Sequence, residues 1–380
     1  MSPRPYGVYV HFPYCHFRCP YCDFAVSTER QVPHRDYASA VLQELTLRAP
    51  AFDGLSCVSL FFGGGTPSLW DPDEVAQVAA AVRQRCRLSE GAEVTLEANP
   101  ESVDPARLRA WRAAGVNRLS IGVQSFQRDV LRKLGRRHGP EKAEEALRAA
   151  VQVFENVSAD VIYGARRSTI ETAQADAERA AALGVAHVSA YALTLDPEVM
   201  AEEVPLARMR AQGRLELPGE EETLAQGRAI QRALGRAGLR RYELSNYARR
   251  GFASVHNGLY WAGESYLGLG VGAFGCIHRG VTADRWGNHR APGPWFEALA
   301  AGRLPTAEEE ALDPVQVGNE RVMLALRTAR GLELSRLPEG KEVEVDRLVA
   351  AGLARRWRGR LVLTRRGWDV HSAVSERLFA

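Results

Sequence analysis

The chain has 380 residues, 46% of them hydrophobic and 25% charged, with a formal net charge of +3; this is a globular composition and excludes a disordered or fibrous chain. So small a charge excludes a whole-protein field that would draw nucleic acid or an anionic membrane. No apolar run approaches the roughly 20 residues of a membrane-spanning helix, and the length suits one large core with a small appended unit.

The N-terminus enters the apolar run Gly7 to Phe12 without a basic stretch, an apolar core and a cleavage site, so a cytoplasmic protein is expected. That run is the first predicted strand. Directly after it Cys15, Cys19 and Cys22 stand in a C-x₃-C-x₂-C pattern. Three thiolates ligate three irons of a four-iron cube and leave the fourth iron open to an exogenous chelate. The alternative is a zinc site built on the pair Cys19 and Cys22 beside His11 and His16. A structural zinc site draws a second ligand pair from a comparable knuckle, whereas Cys57, Cys86 and Cys276 are isolated and read as small buried hydrophobes. Six cysteines so distributed form no secreted disulfide framework; a metal site in a reducing compartment fits better.

Five more strands are predicted at Cys57 to Phe62, Glu93 to Ala98, Arg118 to Val123, Ser158 to Tyr163 and His187 to Leu193, each followed by helical periodicity. Asp71-Pro72 and Asp104-Pro105 are helix starts, and Gly115 and Gly184 are helix stops. A complete eightfold barrel needs about 250 residues. Six βα units therefore predict an α/β fold with an incomplete, laterally open (β/α)₆ TIM-like barrel.

Reactive residues of such barrels gather at the C-terminal strand ends. There the chain carries Gly63-Gly64-Gly65-Thr66-Pro67, then Glu97-Ala98-Asn99-Pro100, then Gln124-Ser125-Phe126, and Asp160 ahead of Tyr163-Gly164. Glycines let the backbone approach a ligand and offer N–H groups to a carboxylate. A cap or turn explains any one of these as well as a ligand does, but four successive strand ends favour a binding site.

From 196 to 220 the chain is charged, holds Pro205 and Pro218, and reads as a surface excursion before a helix from Glu220 to Arg236. From Asp313 onward two helical stretches, a hairpin from Leu353 to Thr364 turning at Gly359, and a closing helix predict a winged-helix-like α+β domain. Its arginines, Arg355, Arg356, Arg358, Arg360, Arg365 and Arg366, read as a solvated face, since no aromatic or amide residues are interleaved for base readout; no nucleic-acid partner is expected. The expected layout is a barrel with the cysteine loop over 1–240, a segment closing the barrel over 241–312, and the winged-helix-like domain over 313–380.

These motifs together resemble the radical S-adenosylmethionine family that contains oxygen-independent coproporphyrinogen III dehydrogenase and its haem-chaperone relatives, over nearly the whole chain. The resemblance implies a [4Fe-4S] cluster held by Cys15, Cys19 and Cys22, with Tyr21 against it. It also implies an S-adenosylmethionine region formed by Tyr9, Gly64, Gly65, Thr66, Glu97, Gln124, Arg136, Asp160, Ala192 and Phe274. The dehydrogenase pattern adds a further C-x-C step and a long N-terminal extension, but here Asp23-Phe24 follows Cys22 and fourteen residues precede Cys15. With His256-Asn257-Gly258-Leu259-Tyr260-Trp261, which is similar to an H-N-x-x-Y-W signature, this points to the chaperone branch.

That branch implies binding of haem or another tetrapyrrole and its transfer to an acceptor protein, with His256 as first candidate for the iron ligand and Tyr260 and Trp261 packed against the macrocycle. The other reading of His256 and Asn257 is that they only pin a loop. The alternative function is oxidative decarboxylation of coproporphyrinogen III. An electron donor and a homodimer complete the expected partners. Where the family reads Gly-Leu-Pro-Gly-Gln-Thr, this chain has Gly164-Ala165-Arg166-Arg167-Ser168-Thr169, and Arg166 and Arg167 offer guanidinium forks to tetrapyrrole propionates.

Overall fold

A computed structural model describes residues 3–380. Six parallel strands form its centre: β1 (Pro5–Phe12), β2 (Ser56–Gly64), β3 (Glu93–Ala98), β4 (Arg118–Gln124), β5 (Asn156–Tyr163) and β6 (His187–Ala192). Each is hydrogen bonded to the next, and every end lies within two residues of its expected place. The helices between them are α1 (His34–Arg48), α2 (Pro72–Arg85), α3 (Pro105–Ala113), α4 (Arg128–Lys133), α5 (Pro140–Val151) and α6 (Ile170–Ala182).

The expected caps form. Asp71 accepts from the Asp73 N–H and Asp104 from the N–H groups of Ala106 and Arg107, satisfying donors that the first helical turn leaves free. Gly115 turns the chain out of α3 with φ +91°, a conformation that costs glycine little.

Alternation within the strands sorts the two faces of the sheet. On β4, Leu119, Ile121 and Val123 are fully buried in the main core with helix residues such as Leu147 and Ala150, each such side chain stabilising the fold by about 1.5–3 kcal/mol. Ser120, Gly122 and Gln124 instead face the barrel lumen. The barrel is therefore walled by apolar contacts outside and lined by polar groups inside.

The segment from 196 to 220 lies mostly exposed at the surface, as expected, but carries structure of its own. It folds into α7 (Pro197–Met200) and α8 (Pro205–Ala211) because Leu195, Val204, Leu206, Ala207 and Leu215 bury one another in a separate cluster. The Leu206 N–H donates to the Pro20 carbonyl at 2.9 Å, so this segment backs the cysteine loop. Helix α9 (Glu220–Arg236) follows with the expected bounds.

The sheet also extends past the six expected strands. β7 (Arg240–Arg241) pairs antiparallel with β8 (Asn246–Ala248), and β8 joins the β6 edge antiparallel to it. After α10 (Val255–Ala262), strand β9 (Ser265–Leu269) pairs parallel with β1. β10 (Phe274–His278), β11 (Ala283–Asn288) and β12 (Thr306–Leu312) then continue antiparallel, giving twelve strands in one sheet.

The added strands are tied to the barrel by one buried carboxylate. Glu44 of α1 is fully buried and accepts from Arg48 Nε (3.0 Å), the Gly270 N–H (2.8 Å), Asn288 Nδ2 (2.7 Å) and Trp295 Nε1 (3.1 Å). Trp295 lies in α11 (Pro292–Ala300).

The C-terminal residues form α12 (Pro314–Leu326), β13 (Leu332–Glu333), α13 (Glu342–Ala350), β14 (Ala354–Trp357), β15 (Arg360–Leu363), α14 (Arg365–Asp369) and α15 (His371–Arg377). Their three strands make a separate antiparallel sheet over a core that includes Val322, Leu348, Leu361 and Val374, a winged-helix-like arrangement. On the wing, Arg356 pairs with Asp346 and Arg360 with Glu333. Among the described residues no helix is long and apolar enough to cross a membrane.

Candidate cluster and cosubstrate site

The loop after β1 carries the three cysteines and is closed on itself by backbone. Cys15 N–H donates to Ser27 O at 2.9 Å, Ser27 N–H to Pro13 O at 2.8 Å, and Cys22 N–H to Cys19 O at 3.0 Å. His11 anchors the return of the loop: its Nε2 donates to Ala25 O at 2.9 Å, and its Nδ1 accepts from the Tyr9 hydroxyl at 3.1 Å. Burial pushes the His11 imidazole down to about 4, which keeps the neutral ring that this pair of bonds requires.

The loop forms the mouth of a cavity of about 750 Å³ that runs into the barrel. Cys15, Cys19 and Cys22 all line it and are half-buried, while Cys57, Cys86 and Cys276 are buried elsewhere, as expected of small core residues. Burial pushes the Cys15 thiol up to about 11; a coordinated metal ion reverses that preference, because its charge stabilises the thiolate. Positive charge is already in place. Arg136 donates to Cys19 Sγ at 3.6 Å and to Gly122 O at 3.0 Å, and the Thr66 hydroxyl lies 3.2 Å from Cys15 Sγ.

Among the described residues no three Cys, His, Asp or Glu side chains converge on the position of one metal ion. A four-iron cube asks for something else, one thiolate at each of three corners. Three half-buried thiols on one loop, facing a cavity beside a guanidinium, fit that demand.

The glycine turn is shaped by close approach. Gly64 has φ +109°, and a Cβ there would stand 2.7 Å from the His11 ring; one on Gly65 would stand 2.7 Å from Pro13 O and 3.0 Å from Cys15 Sγ. The Gly64 N–H donates to Glu97 Oε2 at 3.2 Å. Burial pushes the Glu97 carboxyl up to about 8, with Asp160 adding to the rise and the Gly64 N–H and Arg118 opposing it. Asp160 accepts from Ser120 Oγ at 2.9 Å and Ser158 Oγ at 3.2 Å.

Gln124, at the end of β4, has φ +66°, an unusual conformation for a residue with a side chain. The turn is held from α6, where buried Asp176 accepts from Ser125 Oγ (2.5 Å), the Phe126 N–H (3.0 Å) and Gln127 Nε2 (3.0 Å).

Tyr9, Tyr21, Gly64, Gly65, Thr66, Glu97, Gln124, Arg136, Asp160, Ala192 and His256 all line the one cavity with the three cysteines. Phe274 does not: it lies on β10 with 43% exposure and is absent from the lining. His256 is 1% exposed at the barrel floor. Its Nδ1 is 2.8 Å from Ser59 Oγ and its Nε2 is 2.9 Å from the Tyr260 hydroxyl, so both ring nitrogens are engaged. Burial pushes this imidazole down to about 3.

Arg166 and Arg167 are exposed beyond the C-terminal end of β5, the opposite end of the barrel from α10. The loop that carries them is held by Gln226, whose Oε1 accepts from the Gly164 N–H and Ser168 Oγ, both at 2.8 Å.

Lumen residues that the sequence reading passed over include Arg118, Ser120, Ser189 and Tyr191. The signal was present: Arg118, Ser120, Gly122 and Gln124 alternate with Leu119, Ile121 and Val123, which is one polar face on a strand of period two.

Residues 9–180 match the family model of the Radical SAM superfamily. The chain is 37% identical over 383 residues to the heme chaperone HemW of Mycobacterium tuberculosis (strain ATCC 25618 / H37Rv), covering 100% of this chain and 96% of that protein. It is 36% identical over 278 residues to the heme chaperone HemW of Escherichia coli (strain K12), covering 72% of this chain and 70% of the relative. Its fold is similar to the solved structure of coproporphyrinogen III oxidase (HemN) from Escherichia coli, with a TM-score of 0.82, 23% identity, and coverage of 100% of this chain and 91% of the other.

Proposed function

The chain belongs to the heme chaperone HemW family within the radical S-adenosylmethionine superfamily, and from that premise we propose that it binds haem and passes it to an acceptor protein. In this reading Cys15, Cys19 and Cys22 hold a [4Fe-4S] cluster whose remaining iron takes exchangeable S-adenosylmethionine. The observation that carries it is the sharing of one cavity by these thiols, the Gly64-Gly65-Thr66 turn, Glu97, Gln124 and Asp160.

When bound, such a cluster supplies an open iron position and one transferable electron. The chain's own residues do the rest. Gly64 and Gly65 bring backbone to the cosubstrate without side-chain obstruction, and Glu97 and Asp160 offer acceptors to its hydroxyl and amino groups. Arg136 offsets negative charge at Cys19, and Tyr21 shields the loop. Haem is assigned to the region of α10, with His256 as candidate ligand and Tyr260 and Trp261 beside it. Arg166 and Arg167, at the other end of the barrel from that haem region, are assigned to exposed contacts with the acceptor.

The test is one anaerobically reconstituted sample assayed three ways. Iron and sulfide are counted, haemin is titrated by its Soret absorbance, and coproporphyrinogen III turnover is followed. The expected result is four irons per chain, saturable haemin binding and no protoporphyrinogen; protoporphyrinogen formation overturns the chaperone assignment.

A further inference from the structure

Arg118 opens β4 and sends its side chain into the lumen, where it is 2% exposed. In the ladder it stands opposite Thr95 of β3, so Glu93 and Glu97, two residues to either side of Thr95 on the same strand face, flank it. On β5, the strand paired with β4 on its other side, lies Asp160, bonded to Ser120, the next inward residue of β4. Yet Arg118 Nε has no hydrogen-bond partner among the described residues, and Glu93 Oε2 stays 3.9 Å from it.

A guanidinium buried without a bidentate partner is a costly way to fill space. Glu93 cannot compensate it well, because its carboxylate is already committed to α10. It accepts from the Val255 N–H at 2.9 Å, the His256 N–H at 3.0 Å and Ser254 Oγ at 3.2 Å. What the position does offer is charge of one sign, central to carboxylates arriving from two neighbouring strands.

We propose that Arg118 is a positioning residue, the internal counter-ion of the lumen, which lowers the cost of ionising Glu97 and Asp160 as they accept hydrogen bonds from the bound cosubstrate. The inference rests on the S-adenosylmethionine reading of this cavity. The groups facing Arg118 are Glu93 and Glu97 from β3, Asp160 from β5, His187 from β6 and His256 from α10, with Tyr242 behind His187. Both histidines are held neutral by burial, so the positive charge among these groups belongs to Arg118. Burial drives Glu97 and Asp160 toward their neutral acids, and Arg118 opposes the drive at both.

The experiment is an infrared titration of the protonated carboxyl band, assigned to Glu97 by its loss in Glu97→Gln, in wild type, Arg118→Met and Arg118→Lys. S-adenosylmethionine affinity of the cluster-loaded protein is measured over the same pH range. Loss of a neighbouring opposite charge raises a carboxyl by about one unit, so the Arg118→Met midpoint is expected about one pH unit above wild type, and Arg118→Lys close to wild type. Affinity at pH 7 is expected to fall about tenfold in Arg118→Met, with the gap closing at higher pH as the carboxylates ionise.

A midpoint in folded Arg118→Met that coincides with wild type overturns the proposal. Should the Met variant fail to fold, Arg118→Gln, polar but uncharged, carries the same comparison. The infrared midpoint needs no cosubstrate. Absence of S-adenosylmethionine binding in wild type would sink the cosubstrate reading, and the counter-ion role would stand or fall on that midpoint.

Discussion

The Tyr260 hydroxyl lies 2.9 Å from Nε2 of His256, occupying the ring nitrogen that an iron ligand would need while Ser59 engages the other. If His256 ligates haem, this bond must first break. A net hydrogen bond is worth about 1 kcal/mol, so Tyr260→Phe is expected to raise haemin affinity about fivefold and His256→Ala to lower it. Soret titration of the two variants decides the matter. Equal affinity in both would confine His256 to pinning α10 against β2.

Gly64→Ala tests the close approach at the turn proposed to hold the cosubstrate. The new methyl meets the His11 ring at 2.7 Å in a backbone of φ +109°, a conformation that costs a side-chain-bearing residue about 1–3 kcal/mol. Displacing His11 also loosens its bond to Ala25 in the cysteine loop. We expect destabilisation by about 2 kcal/mol in urea unfolding and loss of measurable S-adenosylmethionine binding. A variant as stable as wild type would mean that the turn relaxes freely.

The barrel strands were legible in the sequence because each combines β-branched runs with caps and glycine stops, and the cysteine loop was legible because its spacing is chemically specific. The sheet extension was not. β7 and β8 have two and three residues, too few to show a period, and β12 is a largely exposed run containing Glu308, Glu309 and Glu310, which reads as loop. Arg118 was passed over because a charged residue at the start of an apolar run looks like a boundary, although it points into a lumen. Phe274 was placed by motif position alone, and tertiary pairing of β10 with β11 leaves it outside the cavity.

Glu44 offers a test of that extension. Removing its side chain in Glu44→Ala strands Arg48, 7% exposed, and leaves the Gly270 N–H, Asn288 and the Trp295 indole short of an acceptor. Breaking a buried pair in this way costs about 3–5 kcal/mol. Hydrogen exchange is expected to rise first in β9 to β11. Uniform exchange across the barrel would show that the added strands are not a separately loosened unit.

The neutral state of His256 has a consequence for acid stability. An unfolded histidine takes up its proton near pH 6.5, whereas burial holds this one down to about 3 in the native fold. Between those values the unfolded chain binds the additional proton, so the contribution is fully present above pH 6.5 and is lost as pH falls toward 3. Other buried groups, Glu97 among them, add slopes of their own, and Glu97 has the opposite sign because its native carboxyl is raised to about 8. A difference between two proteins isolates the one residue. In His256→Gln this term is absent, so the stability gap between wild type and variant is expected to narrow by ~2 kcal/mol from pH 7.5 to pH 5, at about 1.4 kcal/mol per unit below 6.5. Urea unfolding of both proteins at the two pH values measures it, and a constant gap would mean that His256 takes up its proton in the folded chain at the same pH as in the unfolded one.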